Sequence, residues 1–160
     1  MFLVNTMKKK SSNYSKKIES ELRNKTILVT GGAGSIGKIL VSKLLEYPVK
    51  SIRVLDIDEH ALFSLKKSIK SSKLRLLLGN ILDKERVEMA GNNVDIIFHL
   101  AAVKNIEISE FNPIETIDTN INGTVNMIKM VMKNQPKKFL NISTDKSVES
   151  STLYGATKLL

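Results

Sequence analysis

The chain has 160 residues, 42% of them hydrophobic, and a formal charge of +9. That length is one domain with room for a real core, and no run is long and apolar enough for a membrane span. The absence of cysteine excludes a disulfide framework and a thiolate metal site, and with only His60 and His99 to offer imidazole no metal centre is expected.

Residues 1–25 hold seven Lys/Arg against two Glu, a net +5, whereas residues 26–160 hold eighteen against fourteen acids, a net +4. The excess sits in a Lys/Ser/Asn-rich leader, residues 1–24, that has little to bury and is expected to be flexible or one surface helix. A basic tail can touch phosphates or anionic surfaces, but a solubilising extension is the simpler reading. The body offers neither a basic recognition helix nor an aromatic stacking surface, so nucleic acid is not an expected partner. Met1-Phe2-Leu3-Val4 is too short for a signal-peptide core, and a cytoplasmic location is expected.

From Lys25 onward, short aliphatic runs alternate with longer amphipathic segments, the pattern of a parallel sheet wrapped by helices. Thr26 to Thr30 reads as a central strand buried on both faces. Ser35 to Tyr47 reads as a helix with Ile36, Leu40 and Leu44 at four-residue spacing, Ile39 and Val41 alongside, and Pro48 beyond its end. Ile52–Ile57 is the second strand, Glu59–Ser71 the second helix with Leu62, Leu65 and Ile69 inward, and Leu74–Leu78 the third strand. A short helix runs from Asp83, a predicted N-cap, to Ala90. Val94–Leu100 and Lys138–Ile142 are the fourth and fifth strands. Between them Pro113 opens a helix to about Lys133 through Ile117, Ile121, Val125, Ile128 and Met132. Gly123 interrupts it at about 1 kcal/mol relative to Ala, and its absent side chain suits close packing against sheet or cofactor. Met127, Met130 and Met132 fit helix packing or an oligomer face. The predicted fold is α/β, a doubly wound parallel sheet in spatial order 3-2-1-4-5.

Gly31-Gly32-Ala33-Gly34-Ser35-Ile36-Gly37 lies directly after a strand and directly before a helix. Amides at such a helix start bind a pyrophosphate, and the glycines let it approach. Asp56 follows Gly37 by nineteen residues, at the end of the predicted second strand, where a carboxylate can accept hydrogen bonds from ribose hydroxyls; the competing reading is a cap for the next helix. Like-charge repulsion from Asp56 disfavours a 2′-phosphate, so NAD is favoured, while Arg53 and His60 nearby keep NADP open. Farther on, Tyr154 and Lys158 are four apart, one face of a helix, where an ammonium can lower the phenol pKa and make it a usable base.

The stretches TGGAGSIG (30–37), FHLAAVKN (98–105), NPIETIDTNINGT (112–124), STDKS (143–147) and YGATK (154–158), in this order, resemble the extended short-chain dehydrogenase/reductase family. More narrowly, they resemble its polysaccharide-biosynthesis nucleotide-sugar dehydratases, including UDP-N-acetylglucosamine 4,6-dehydratases. The resemblance covers about Lys25 to Leu160. It implies cofactor contacts from Gly31, Gly34, Ser35, Ile36, Gly37 and Asp56, from Asn80 and Ile81 near the adenine, and from Ala101, Ala102 and Lys104 beside the nicotinamide. It implies catalytic roles for Thr144, Asp145, Lys146, Tyr154 and Lys158, a UDP-sugar substrate, and a homo-oligomer built on a four-helix contact of the Pro113 helix and the helix beginning near Tyr154. Three positions depart from the pattern: Asn80 replaces the usual Asp, Asn105 stands where His is frequent, and Glu149-Ser150-Ser151 replaces a segment that often holds Asn-Pro. Such enzymes continue past this point into a substrate lobe, so the dinucleotide-binding domain, residues 25–160, is expected to be incomplete and inactive alone.

Three activities compete. A dehydratase oxidises carbon 4, eliminates water across carbons 5 and 6 and returns hydride to carbon 6. The resemblance makes Lys146 the base and Asp145 the acid, roles that require Lys146 partly neutral and Asp145 partly protonated, each shifted by desolvation. A 4-epimerase needs Tyr154 and cofactor but not the Asp145-Lys146 pair. A cofactor-binding module without catalysis needs neither.

Overall fold

The computed structural model describes residues 14–160. Five strands, β1 (Thr26–Thr30), β2 (Ser51–Asp56), β3 (Leu74–Leu78), β4 (Ile96–His99) and β5 (Lys138–Asn141), form one sheet in the order β3-β2-β1-β4-β5. Every pairing is parallel, as predicted. The helices are α1 (14–22), α2 (Ser35–Leu45), α3 (Glu59–Ser68), α4 (Lys84–Gly91), α5 (Ile106–Phe111), α6 (Pro113–Ile117), α7 (Gly123–Asn134) and α8 (Leu153–Leu159).

All five residues of β1 are buried, because the strand alternates its side chains between two separate cores. Ile27 and Val29 pack with Val41, Leu44, Leu62 and Leu65 of α2 and α3. Leu28 packs on the other face with Val87 and Ala90 of α4 and Met127 and Met130 of α7. Packing begins before Lys25: Leu22 of α1 is buried in the first core, and Glu21 pairs with Lys138 at 2.7 Å. The remainder of the leader, residues 1–13, lies outside the described residues.

Two helix faces differ from expectation. On α2 the inward residues are Gly37, Val41 and Leu44, while Ile36 and Ile39 are exposed. Gly37 sets this phase, since a Cβ there would stand 2.5 Å from the Gly31 oxygen and the Gly32 Cα; only a bare backbone can be drawn so close. In the segment from Pro113 to Asn134, α6 and α7 are joined by a π-helical turn, Asp118–Asn122. Thr116, Asn120, Gly123, Asn126, Met127 and Met130 point inward, and the apolar row Ile117, Val125, Ile128 and Met132 points out. Polar residues win the inner face because they satisfy buried backbone: Asn126 donates to the carbonyls of Ile81 and Leu82, each at 3.1 Å. A Cβ on Gly123 would meet Ile81 Cδ1 at 2.5 Å, so this glycine packs against the loop after β3. Sequence reading missed α5, which Asn105 caps by accepting from the Ile108 amide at 3.0 Å.

Candidate active site

The glycine turn stands at the carboxyl end of β1. Gly31 has φ +66°, and a Cβ there would lie 2.7 Å from the Ala101 nitrogen. Its amide donates to Leu55 O at 2.9 Å, and the Gly34 amide donates back to Gly31 O at 3.2 Å. Gly34 is the N-cap of α2, where no side chain caps the helix and no acid occupies the first turn. The positive end of an eleven-residue helix is thus left for an anion.

Asp56 closes the turn from the side. One carboxylate oxygen accepts the Ala33 amide at 2.9 Å and the other the Asp58 amide at 3.2 Å, leaving each oxygen a lone pair for a further donor. Asp58, not Asp56, caps α3, accepting from Ala61 N at 2.8 Å, so the capping alternative for Asp56 falls away. Arg53 is committed elsewhere, donating to Ala90 O and Asn92 O at 2.8 and 2.7 Å, and neither it nor His60 lines the cleft around the turn.

That cleft has two connected parts. The first, about 360 Å³, runs from Gly31 and Gly34 past Asp56 to Asn80 and Ile81, with Ala101 and Ala102 opposite. The second, about 190 Å³, begins at Ser35, Ile36 and Gly37 and ends at Thr144, Tyr154 and Lys158. Gly31, Gly34, Ala102 and Lys104 line both. An elongated cleft with a helix terminus at its middle, a carboxylate toward one end and a phenol at the other fits a dinucleotide.

At the second end, α8 is aimed by three contacts. Thr152 caps it, accepting from Gly155 N at 3.1 Å, and Glu110 of α5 accepts from Leu153 N at 2.8 Å. A Cβ on Gly155 would stand 2.2 Å from Lys146 O, so glycine permits the close approach of α8 to the 3₁₀ turn Asp145–Ser147. Lys158 Nζ donates to Ile142 O at 3.1 Å, and burial pulls its pKa below the ordinary lysine value. Asp145 and Lys146, in contrast, do not line the cleft. The Asp145 side chain is 88% exposed and 3.8 Å from the Lys146 ammonium. The Thr144 hydroxyl, donating at 3.0 Å, and then the Lys146 charge hold its carboxyl below the usual carboxylate range. In this arrangement Asp145 is an ionised acceptor rather than an acid.

Residues 27–160 match the polysaccharide biosynthesis protein family. The chain belongs to that family. It is 48% identical over 143 residues to an uncharacterized membrane protein of Methanocaldococcus jannaschii, covering 89% of this chain and 43% of the other. It is 42% identical to an inverting UDP-N-acetylglucosamine 4,6-dehydratase of Campylobacter jejuni, covering 84% and 41%, and 33% identical to a UDP-glucose 4-epimerase of Rickettsia canadensis, covering 86% and 41%. Among solved structures it resembles Pen from Bacillus thuringiensis, with TM-score 0.84, 37% identity and coverage of 86% and 43%. It also resembles DesIV, a dTDP-glucose 4,6-dehydratase of Streptomyces venezuelae bound to NAD, with TM-score 0.76, 28% identity and coverage of 84% and 48%. The chain thus spans about two fifths of the length of the curated relatives it matches.

In this member of the polysaccharide biosynthesis family, a buried network that sequence reading missed joins the two ends of the cleft. Asn120, on the π-helical turn, accepts from Val103 N at 2.8 Å and donates to Val103 O and Thr157 Oγ1, each at 2.9 Å. It pins the loop carrying Ala102 and Lys104 to α8. Next to it, Thr124 donates to Asn120 O at 2.7 Å, so its oxygen accepts from His99 Nε2 at 3.2 Å, and the Thr30 hydroxyl donates to His99 Nδ1 at 2.6 Å. Both ring nitrogens of a neutral imidazole are then satisfied. The partners lie between 4 and 69 residues apart in the chain, and no local pattern announces them; the one available signal was a polar residue recurring on a helix that must bury a face.

Proposed function

We propose that this chain provides the cofactor and acid–base half of an NAD-dependent nucleotide-sugar 4,6-dehydratase of the UDP-N-acetylglucosamine type, acting in surface polysaccharide synthesis. The observation that carries the reading is the second part of the cleft, where Thr144, Tyr154 and Lys158 share one wall-to-wall space with the glycine turn. NAD is favoured over NADP because Asp56 faces the cleft while Arg53 is anchored outside it on the carbonyls of Ala90 and Asn92. Bound NAD supplies the hydride acceptor for oxidation at carbon 4 and the hydride returned to carbon 6. Tyr154 takes the proton of the 4-hydroxyl, and Lys158 holds a ribose hydroxyl. Thr144 positions the substrate hydroxyl beside Tyr154. The carbon 5 proton, acidified by the neighbouring ketone, passes to Lys146, and Asp145 protonates the departing carbon 6 hydroxyl, so that one water leaves. A cytoplasmic location accompanies this reading; no helix among the described residues is long and apolar enough to cross a membrane.

Elimination requires Asp145 and Lys146 to turn in and lose solvent when a sugar covers them, since neither lines the cleft and both are exposed. The same observation favours a second reading, 4-epimerisation, which dispenses with the pair. Full-length protein given UDP-N-acetylglucosamine, with mass detection of water loss, separates them. Lys146→Ala and Asp145→Asn should still reduce the nicotinamide yet release little dehydrated product, whereas Tyr154→Phe should block reduction itself. Wild-type dehydration by both the Asp145 and Lys146 variants would move the acid and base roles to other residues, and no water loss from the wild-type protein would transfer the assignment to the epimerase.

A further inference from the structure

Away from the cleft, a groove of about 820 Å³ runs between the β2–β3 side of the sheet and the end of α4, sharing no lining residue with either part of the cleft. Five cations line it, Lys50, Arg53, Lys73, Arg75 and Arg86, and no carboxylate does. None of the five enters an ion pair among the described residues. Arg53 and Arg75 are direct partners in the β2–β3 register, a like-charge cross-strand pair that works against the sheet. Burial, and after it the Arg75 charge, pull Arg53 below its ordinary pKa.

Two of the guanidinium groups are held in place. Arg53 Nη1 donates to Ala90 O and Asn92 O, and Arg86 Nε to Leu78 O at 2.9 Å. Each anchor consumes one nitrogen and leaves the others without a protein acceptor among the described residues. Fixed guanidinium forks with spare donors bind phosphate bidentately and lose little entropy in doing so. Solvation alone would account for scattered surface cations on a chain of charge +9. It does not account for two arginines set opposite one another in a concave site that no acid enters.

We propose that this groove is a second ligand site, binding a small soluble anion that carries two or more phosphate groups. Its volume lies in the range of small-molecule sites, about 300–1,000 Å³, and its charge calls for a multivalent ligand. The test is calorimetric titration of the full-length protein with inorganic tripolyphosphate at about 0.15 M salt, where nonspecific attraction is screened, in excess NAD so that the glycine turn is not the acceptor. Lys73→Gln/Arg75→Gln spares both anchored arginines and should weaken binding at least about tenfold, the loss of two charge-assisted contacts, with a melting temperature that does not fall. Lys66→Gln/Lys70→Gln removes the same charge from the α3 side and should leave the affinity as it was. Equal weakening by both double variants, displacement of tripolyphosphate by NAD, or no binding would each overturn the proposal. So would binding only to phosphatidylglycerol vesicles, which would mark a lipid-facing patch.

Discussion

His99 is neutral in the folded chain because burial, and then the Lys158 charge, push its pKa from 6.5 to about 4. The folded value lies below the unfolded one, so the stability it permits is whole above pH 6.5 and is lost as pH falls toward 4. The loss expected is about 3 kcal/mol. Urea unfolding across that range should show it, and His99→Gln should flatten the profile; an NMR titration of the His99 ring should still be incomplete at pH 5. Gly37 makes a second residue-scale prediction. Alanine there meets two backbone atoms at 2.5 Å that cannot rotate away, so Gly37→Ala should cost about 1–3 kcal/mol and weaken NAD binding together. A melting curve and a binding isotherm would read the two losses separately.

At the scale of elements, the segment from Pro113 to Asn134 is expected to carry function on both faces. Its inner face reaches the cleft through Gly123, whose neighbour Ile81 lines the cofactor space. Gly123→Ala gains about 1 kcal/mol of helix propensity but drives Ile81 toward the cofactor, so NAD affinity should fall while the melting temperature changes little. Adding Ile81→Ala should restore the affinity. The outer face leaves Val125 at 38%, Ile128 at 43% and Met132 at 72% exposure, an apolar row that suits helix-to-helix contact with a second copy. Full-length protein is expected to sediment as a dimer or larger, and Val125→Asp/Ile128→Asp as a monomer of unchanged thermal stability.

For the whole molecule, the cofactor cleft is formed within the described residues, whereas nothing among them covers Asp145 and Lys146. The 160-residue chain is therefore expected to bind NAD and to release no dehydrated sugar, because neither proximity nor desolvation of that pair is established without a covering surface. Calorimetry with NAD and mass detection of product would check each half; product from the purified chain would refute the second.

Local chemistry made much of this legible. The apolar runs, the cap at Asp83 and the glycine turn act over four or five residues, and the right-handed crossover leaves few sheet orders to choose from. The strand order, the β1 and β3 boundaries and the cleft around Gly31 follow from such signals. Which side of a helix faces the sheet does not. Ile36 and the Ile117-to-Met132 row satisfy the same periodicity as core residues yet stand exposed, since periodicity finds an apolar stripe without saying whether sheet or partner covers it. The burial of His99 and Asn120, the outward turn of Asp145 and the meeting of Arg53 with Arg75 were likewise decided by the tertiary structure, because each depends on groups brought together from distant parts of the chain or on the solvent that packing removes.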